Sequence, residues 1–359
     1  MSEGGVDRRT FLKGSLALAG TTLLSTEAKA VAELFHTDAT DDIPRVENVK
    51  EFQDWFRARE EKFKEVISSE HILEILNGPI DLNFDIKAFD EVMQILLKNW
   101  PYAYGAYVKH LPLHDVEDAS GHLPAQLIHV TGMHGEKWRG NGAFVTHNHE
   151  NKFLTAAHVL DGSAIPFSSP KQGGDIALTD IHHVKKNPET RLMPLEEATS
   201  DELRGSIVTI AGYDDDEGNN DNKKKQYVSA SLPVSPRVAL WIALYGDIWA
   251  DTNDRKRIEV KRLNWIHRAS DRDSLLPYFI QLSNAYSLGN MVRLPPGETL
   301  RDDHGDDRSN GMSGSPVVLN KNVIGAFTSG LPIYTSNKRY AIGAFNSNIT
   351  GLLSASGSA

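Results

Sequence analysis

Along the first third of the chain, apolar residues recur every three or four positions. In VKEFQDWFRAREEKFKEVI, residues Val49, Phe52, Phe56, Phe63 and Ile67 fall on one stripe. IKAFDEVMQILLKNW repeats the pattern with Phe89, Val92, Ile95 and Leu96, and Pro101 follows its end. That period predicts two or three amphipathic helices over about 46–111. From about residue 124 the texture changes to short apolar runs punctuated by Gly, Asn and Pro. AQLIHVTG, GAFVTHN, KFLTAAHV, DIALTDI, GSIVTIAGY, SPVVLN, NVIGAFTSG and YAIGAF all read as short strands. Such a series predicts a β-sandwich or barrel rather than a parallel α/β sheet. DDDEGNNDNKKK, at 214–225, reads as a charged loop, and the stretch 226–280 is assigned no element.

Composition narrows the classes. The chain has 359 residues and a formal net charge of -10, room for roughly two domains of about 150 residues. With no basic stripe, nucleic acid is not an expected partner, and the lysines at 223–225 read as a loop tip. The absence of cysteine excludes a disulfide scaffold, Cys-ligated zinc and a thiol nucleophile. The first thirty residues differ from the rest. Arg8 and Arg9 precede Phe11, Leu12 and Lys13, a modest apolar run covers 16–24, and Ala28-Lys29-Ala30 offers an A-x-A cleavage site. This resembles a twin-arginine export signal, read by a receptor as an address. Its apolar run falls short of the roughly 20 residues that span a bilayer, so no stable membrane anchor is expected. The expected location is periplasmic or secreted, and 31–45 reads as a polar linker.

Three short stretches carry candidate chemistry. FLTAAHVL reads as a buried strand ending in two alanines and then His158, whose ring would sit at the mouth of a cleft. A lone histidine there would be a satisfied core residue. In GGDIALTDI, Asp175 follows two glycines and opens an apolar strand, which an ordinary strand-opening aspartate also does. NGMSGSP brackets Ser313 with Gly311 and Gly314, a pattern shared by nucleophiles and plain tight turns. An α/β-hydrolase would need a second glycine where Ser315 stands and a histidine downstream, yet His304 is the last histidine in the chain.

In the order His158, Asp175, Ser313, with GNGAFV ahead of them, these motifs over about 125–350 resemble the trypsin-like serine peptidases. The bacterial, disulfide-free branch fits best, including the high-temperature-requirement and glutamyl endopeptidase groups. The resemblance implies a mainly β fold of two antiparallel six-stranded-type β-barrels, preceded here by the α-helical segment. It also implies a Ser-His-Asp triad: His158 as base, Asp175 orienting it, Ser313 as nucleophile, and the N–H groups of Gly311 and Ser313 as oxyanion hole. By the same resemblance Asp307, Thr328, Ser329 and Gly330 would contact a protein or peptide substrate. No cofactor and no metal are implied.

Two departures stand out. The His158–Asp175 connection is shorter than the family's usual one, as if a hairpin were lost, although extended chain of that length still spans roughly 55 Å. Asp161 and Asp180 are fallback acids. Met312 stands where the animal enzymes carry an aspartate that pairs with a freed N-terminus. Arg308 could neutralise Asp307, and Phe327 stands where glutamyl endopeptidases place a pocket histidine. His147 and His149 read as a hairpin turn rather than a metal pair, and His182-His183 as a solvated strand edge.

The resulting division is 1–30 signal, 31–120 helical segment (accessory or propeptide) and 121–359 peptidase domain with an insertion at about 214–280. The sequence gives no oligomeric state. The competing expectation is a catalytically inactive trypsin-like domain that acts as a peptide-binding or interaction module.

Overall fold

The structure is a computed structural model that describes residues 24–35, 49–81, 83–104, 125–170, 174–186, 190–213, 224–245, 289–294, 312–334 and 339–356. Four helices lead the described chain: α1 (Thr26–Phe35), α2 (Val49–Ile67), α3 (Glu70–Asn77) and α4 (Ile86–Asn99). The apolar stripe of α2 is what it buries, with Phe52, Phe56, Phe63 and Ile67 at 0% exposure. Helix α4 starts at Asp85, whose carboxylate accepts from the N–H groups of Lys87 (2.9 Å) and Ala88 (3.2 Å). Its inner face buries Phe89, Val92 and Leu96, while Ile95 lies at the margin of the same cluster. Each such side chain contributes about 1.5–3 kcal/mol when taken from water.

The strands follow as β1 (Tyr102–Tyr104), β2 (Ala125–Thr131), β3 (Lys137–His147), β4 (Glu150–Thr155), β5 (Ala177–Asp180) and β6 (Met193–Pro194). Then come β7 (Ile207–Tyr213), β8 (Lys224–Pro233), β9 (Asn290–Leu294), β10 (Pro316–Leu319), β11 (Asn322–Tyr334) and β12 (Arg339–Asn346). Short helices α5 (Ala157–Leu160), α6 (Ser200–Leu203) and α7 (Pro236–Tyr245) interrupt them, and α8 (Ile349–Ser356) closes the chain. The fold is mainly β, with helices concentrated at the N-terminus.

Two sheets form. One runs β1-β8-β7-β10-β11-β12-β9, and the far end of β8 also pairs β9, so six strands close into a barrel with β1 added outside. The other is five-stranded, in the order β2-β3-β4-β5 with β6 parallel to β3. Among the described residues it has no pairing that closes it, so one of the two expected barrels is a complete ring and the other an open sheet. Two hairpins turn through pairs of left-handed residues: Asn148 (φ 47) with His149 (φ 68), and Asn320 (φ 51) with Lys321 (φ 69). Paired positive φ values are the signature of the type I′ turn, whose twist suits antiparallel strands.

The helical layer shares its core with the closed barrel. One continuous apolar cluster joins Phe63, Val92, Leu96 and Trp100 to Leu232 of β8, Met291 of β9 and Ile342 of β12. Polar ties cross the same boundary. Trp100 Nε1 donates to the Ala230 carbonyl (2.8 Å) and Trp241 Nε1 to Asp90 Oδ1 (2.9 Å). Buried Arg293 donates to the Leu97 carbonyl and lies 4.3 Å from the centre of the Tyr102 ring. Strand β1 belongs to the span read as helical, yet it pairs with β8. Ala28-Lys29-Ala30 lies inside α1, where Ala28 and Val31 are fully buried and the preceding Ser25 N–H donates to Glu91 Oε2 (2.7 Å).

Candidate active site

The candidate base and the candidate acid belong to the five-stranded sheet. Strand β4 ends at Thr155, and one turn of helix carries His158 just beyond it. Trp138 of β3 holds that turn by donating its Nε1–H to the Val159 carbonyl (2.6 Å). The last β4–β5 pair is Thr155 with Ala177. Two residues farther out on each side, antiparallel geometry brings Asp175 beside the helical turn. The short connection therefore suffices, because β4 and β5 are direct neighbours.

Asp175 makes two bonds to the same residue. Its Oδ2 accepts from His158 Nδ1 at 2.6 Å, and its Oδ1 accepts from the His158 backbone N–H at 2.8 Å. A carboxylate only accepts, so Nδ1 carries the proton and Nε2 of the neutral ring keeps its lone pair for a base's work. The Asp175 side chain is 17% exposed and that of His158 is 49% exposed, which leaves the ring open to a reactant. The fallback acids lie elsewhere. Asp180 bonds Lys152 (2.8 Å), which holds its carboxyl below the ordinary aspartate range, and Asp161 is exposed past the end of α5.

Ser313 comes from the closed barrel. Met312, Ser313, Gly314 and Ser315 form a turn closed by the Ser315 N–H on the Met312 carbonyl (3.0 Å). Gly314 has φ +85, the requirement of a type II turn at its third position. A Cβ there would lie 2.0 Å from the Asn141 carbonyl oxygen and 2.3 Å from Thr155 Oγ1, so glycine is also required by space. The turn is gripped on both sides. The Asn141 N–H donates to the Ser313 carbonyl (2.8 Å), the Gly314 N–H to Phe327 (2.7 Å), and the Phe327 N–H to Ser315 (2.8 Å). Met312 is fully buried in the barrel core, so apolar packing anchors the start of the turn.

The hydroxyl of Ser313 donates to the Thr328 carbonyl (3.2 Å), and no hydrogen bond joins it to His158. A β-bulge explains that acceptor. The β11–β12 register pairs Phe327 with Phe345 and then Ser329 with Ala344, leaving Thr328 extra. The Thr328 hydroxyl is turned inward to the Ala344 carbonyl (3.1 Å), and the Phe327 ring is buried in the barrel core. Ser329 Oγ is buried without a hydrogen-bond partner among the described residues, and Gly330 is half-buried beside it. Gly311, Asp307 and Arg308 lie outside the described residues.

The other histidines are placed without a shared ligand. His147 Nδ1 faces the Leu195 carbonyl (3.1 Å) and its Nε2 faces Asn148 Nδ2 (2.9 Å), which commits both ring nitrogens. His149 is exposed at the hairpin tip, and His182 and His183 lie on a 3₁₀ turn after β5 rather than on a strand edge. Among the described residues no group of three His, Asp or Glu side chains could hold a metal ion.

Sequence reasoning missed Asn141, although it lies in the GNGAFV stretch. A polar residue between two glycines in an apolar strand was the available signal, because a buried strand tolerates a polar side chain only with partners.

No family model matches the chain, and no curated protein does. Among solved structures it is similar to the scabies mite inactivated protease paralogue S-I1, at 14% identity and a TM-score of 0.35, over 66% of this chain and 96% of that one. It is similar as well to the protease Anisep from Arthrobacter nicotinovorans (14% identity, TM-score 0.34, 65% and 95% covered). A third is the HtrA-type protease AlgW with tripeptide (14% identity, TM-score 0.30, 66% and 60% covered). At these identities and scores, the functional reading rests on the site's own geometry.

Proposed function

We propose that the protein is an exported serine endopeptidase that cleaves peptide bonds through His158, Asp175 and Ser313. The observation that carries this reading is the two-point grip of Asp175 on His158, at 2.6 and 2.8 Å, with a nucleophile turn locked to the same sheet through Asn141. Such a grip fixes one tautomer and one ring orientation, which a general base needs and a merely structural histidine does not.

In the reaction, the Ser313 hydroxyl leaves the Thr328 carbonyl and gives its proton to His158 Nε2 while Oγ attacks the peptide carbonyl. Asp175 stabilises the imidazolium. The tetrahedral oxyanion meets the Ser313 N–H and, by the family resemblance, that of Gly311. His158 then passes the proton to the leaving amine, giving an acyl-enzyme that water hydrolyses by the same steps. By the same resemblance, Thr328, Ser329 and Gly330 would line the bound peptide chain. Twin arginines and the A-x-A site support export to the periplasm or beyond.

A second reading has its own support. With the Ser313 hydroxyl bonded to Thr328 rather than to His158, the domain could bind peptides without cutting them. A fluorophosphonate separates the two. Covalent labelling of the wild type, absent from Ser313→Ala, is expected of the peptidase. A wild type that binds peptides yet takes no label would overturn it.

A further inference from the structure

The candidate triad is split between two sheets, which raises the question of what sets their spacing. His158 and Asp175 stand on the five-stranded sheet, whereas Ser313 stands on the closed barrel. Asn141 of β3 lies at the joint and is fully buried. Its backbone N–H donates to the Ser313 carbonyl (2.8 Å), and its backbone carbonyl accepts from Thr155 Oγ1 (2.6 Å). Thr155 is the last residue of the strand that leads to His158.

The side chain makes the cross-sheet tie. Asn141 Oδ1 accepts from the Tyr213 N–H (2.8 Å), and its Nδ2 donates to the Tyr213 carbonyl (3.0 Å). A side-chain amide thus copies a backbone amide and forms one rung of a ladder with β7, although β3 and β7 belong to different sheets. Asparagine alone has the size and the paired donor and acceptor for this rung. Aspartate would set a second oxygen against the Tyr213 carbonyl, and serine has one short arm.

Resting on the peptidase reading above, we infer that Asn141 is a positioning residue that sets Ser313 against His158 across the two sheets. It touches no reacting atom; it acts through the Ser313 carbonyl. Misplacement of a reacting group by about 1 Å can cost roughly a hundredfold in rate. The test compares Asn141→Asp and Asn141→Ala with Val92→Ala, a core change in α4 at the boundary between helices and barrel. Turnover of a peptide substrate is measured per active site, with sites counted by fluorophosphonate.

For the Asn141 variants we expect kcat per titrated site to fall about 10- to 100-fold, with KM within about twofold, because ground-state binding is left in place. The rate of phosphonate labelling should fall in parallel. Val92→Ala should lower thermal stability but keep kcat per site. If an Asn141 variant loses stability yet keeps kcat per site, or if the loss falls on KM, the inference is overturned while the peptidase reading stands. If both variants fail to fold, Asn141 is a folding residue and the inference is overturned. If the wild type itself takes no label, both readings fall together.

Discussion

The five-stranded sheet and the closed barrel build their parts of the candidate site by opposite routes. The open sheet assembles its pair locally: β4 and β5 are adjacent, so their register alone brings Asp175 to His158. The barrel assembles its turn from a distance, with Asn141, Phe327 and Thr328 holding Ser313 from two other strands. The barrel is also the half that the N-terminal helices brace, through a shared core and through Trp100, Trp241 and Arg293. The histidine–aspartate pair is set by two neighbouring strands, whereas the Ser313 turn takes its geometry from both sheets.

The largest expected effect tests the local half. Asp175→Asn keeps the shape but favours the wrong tautomer of His158, and kcat should fall by about 10⁴-fold, or about 5–6 kcal/mol on the barrier. Steady-state assays beside Ser313→Ala would read this, and activity near wild type would remove Asp175 from the site. Next comes the distant half. Gly314→Ala must accommodate a Cβ 2.0 Å from a carbonyl oxygen at φ +85, which should cost about 3 kcal/mol or more in denaturant unfolding.

A smaller effect probes the brace. Trp241→Phe removes the bond to Asp90, and a hydrogen bond to a charged group contributes about 1.5–3 kcal/mol. Because helices and barrel share one core, the loss should appear in a single cooperative transition. Separate melting of the helices would show the brace to be an independent unit. The smallest effect lies at a surface helix. Thr199→Ala breaks the capping box at α6 and should cost about 1 kcal/mol. Hydrogen bonds from Thr199 hold the Glu202 carboxyl below its ordinary value. Its contribution is therefore present above the ordinary glutamate pKa and is lost as pH falls through the depressed one. The gap between Thr199→Ala and wild type should narrow in acid.

The same contrast explains what could be read from the sequence. The stripe of α2 and the strands around ALTD and IVTIAGY are set by local pattern and were legible, whereas the pairing of His158 with Asp175 was expected only from the family resemblance. Strand β8 was not, because KKQYVSASLP is polar for half its length and buries Ser229 and Ser231 against backbone partners far away in sequence. Helix α7 was hidden because its burial against α3 and α4 depends on contacts far away in sequence. The role of Met312 could be described only as a missing aspartate until its burial was seen. Asn141 had a local signal, but its partner Tyr213 lies 72 positions away.

Helix α1 has a consequence for timing. A processing peptidase needs several residues of extended chain, but the bond after Ala30 lies mid-helix, between Ala28 and Val31 on the sealed face. On the export reading, docking of α1 and hydrolysis of that bond are therefore competing fates. If the helix seats first, the bond is shielded; if the cut comes first, only residues from Val31 onward remain to seat. The N-terminal mass of the purified protein is thus a clock reading, recording which of the two events won the race.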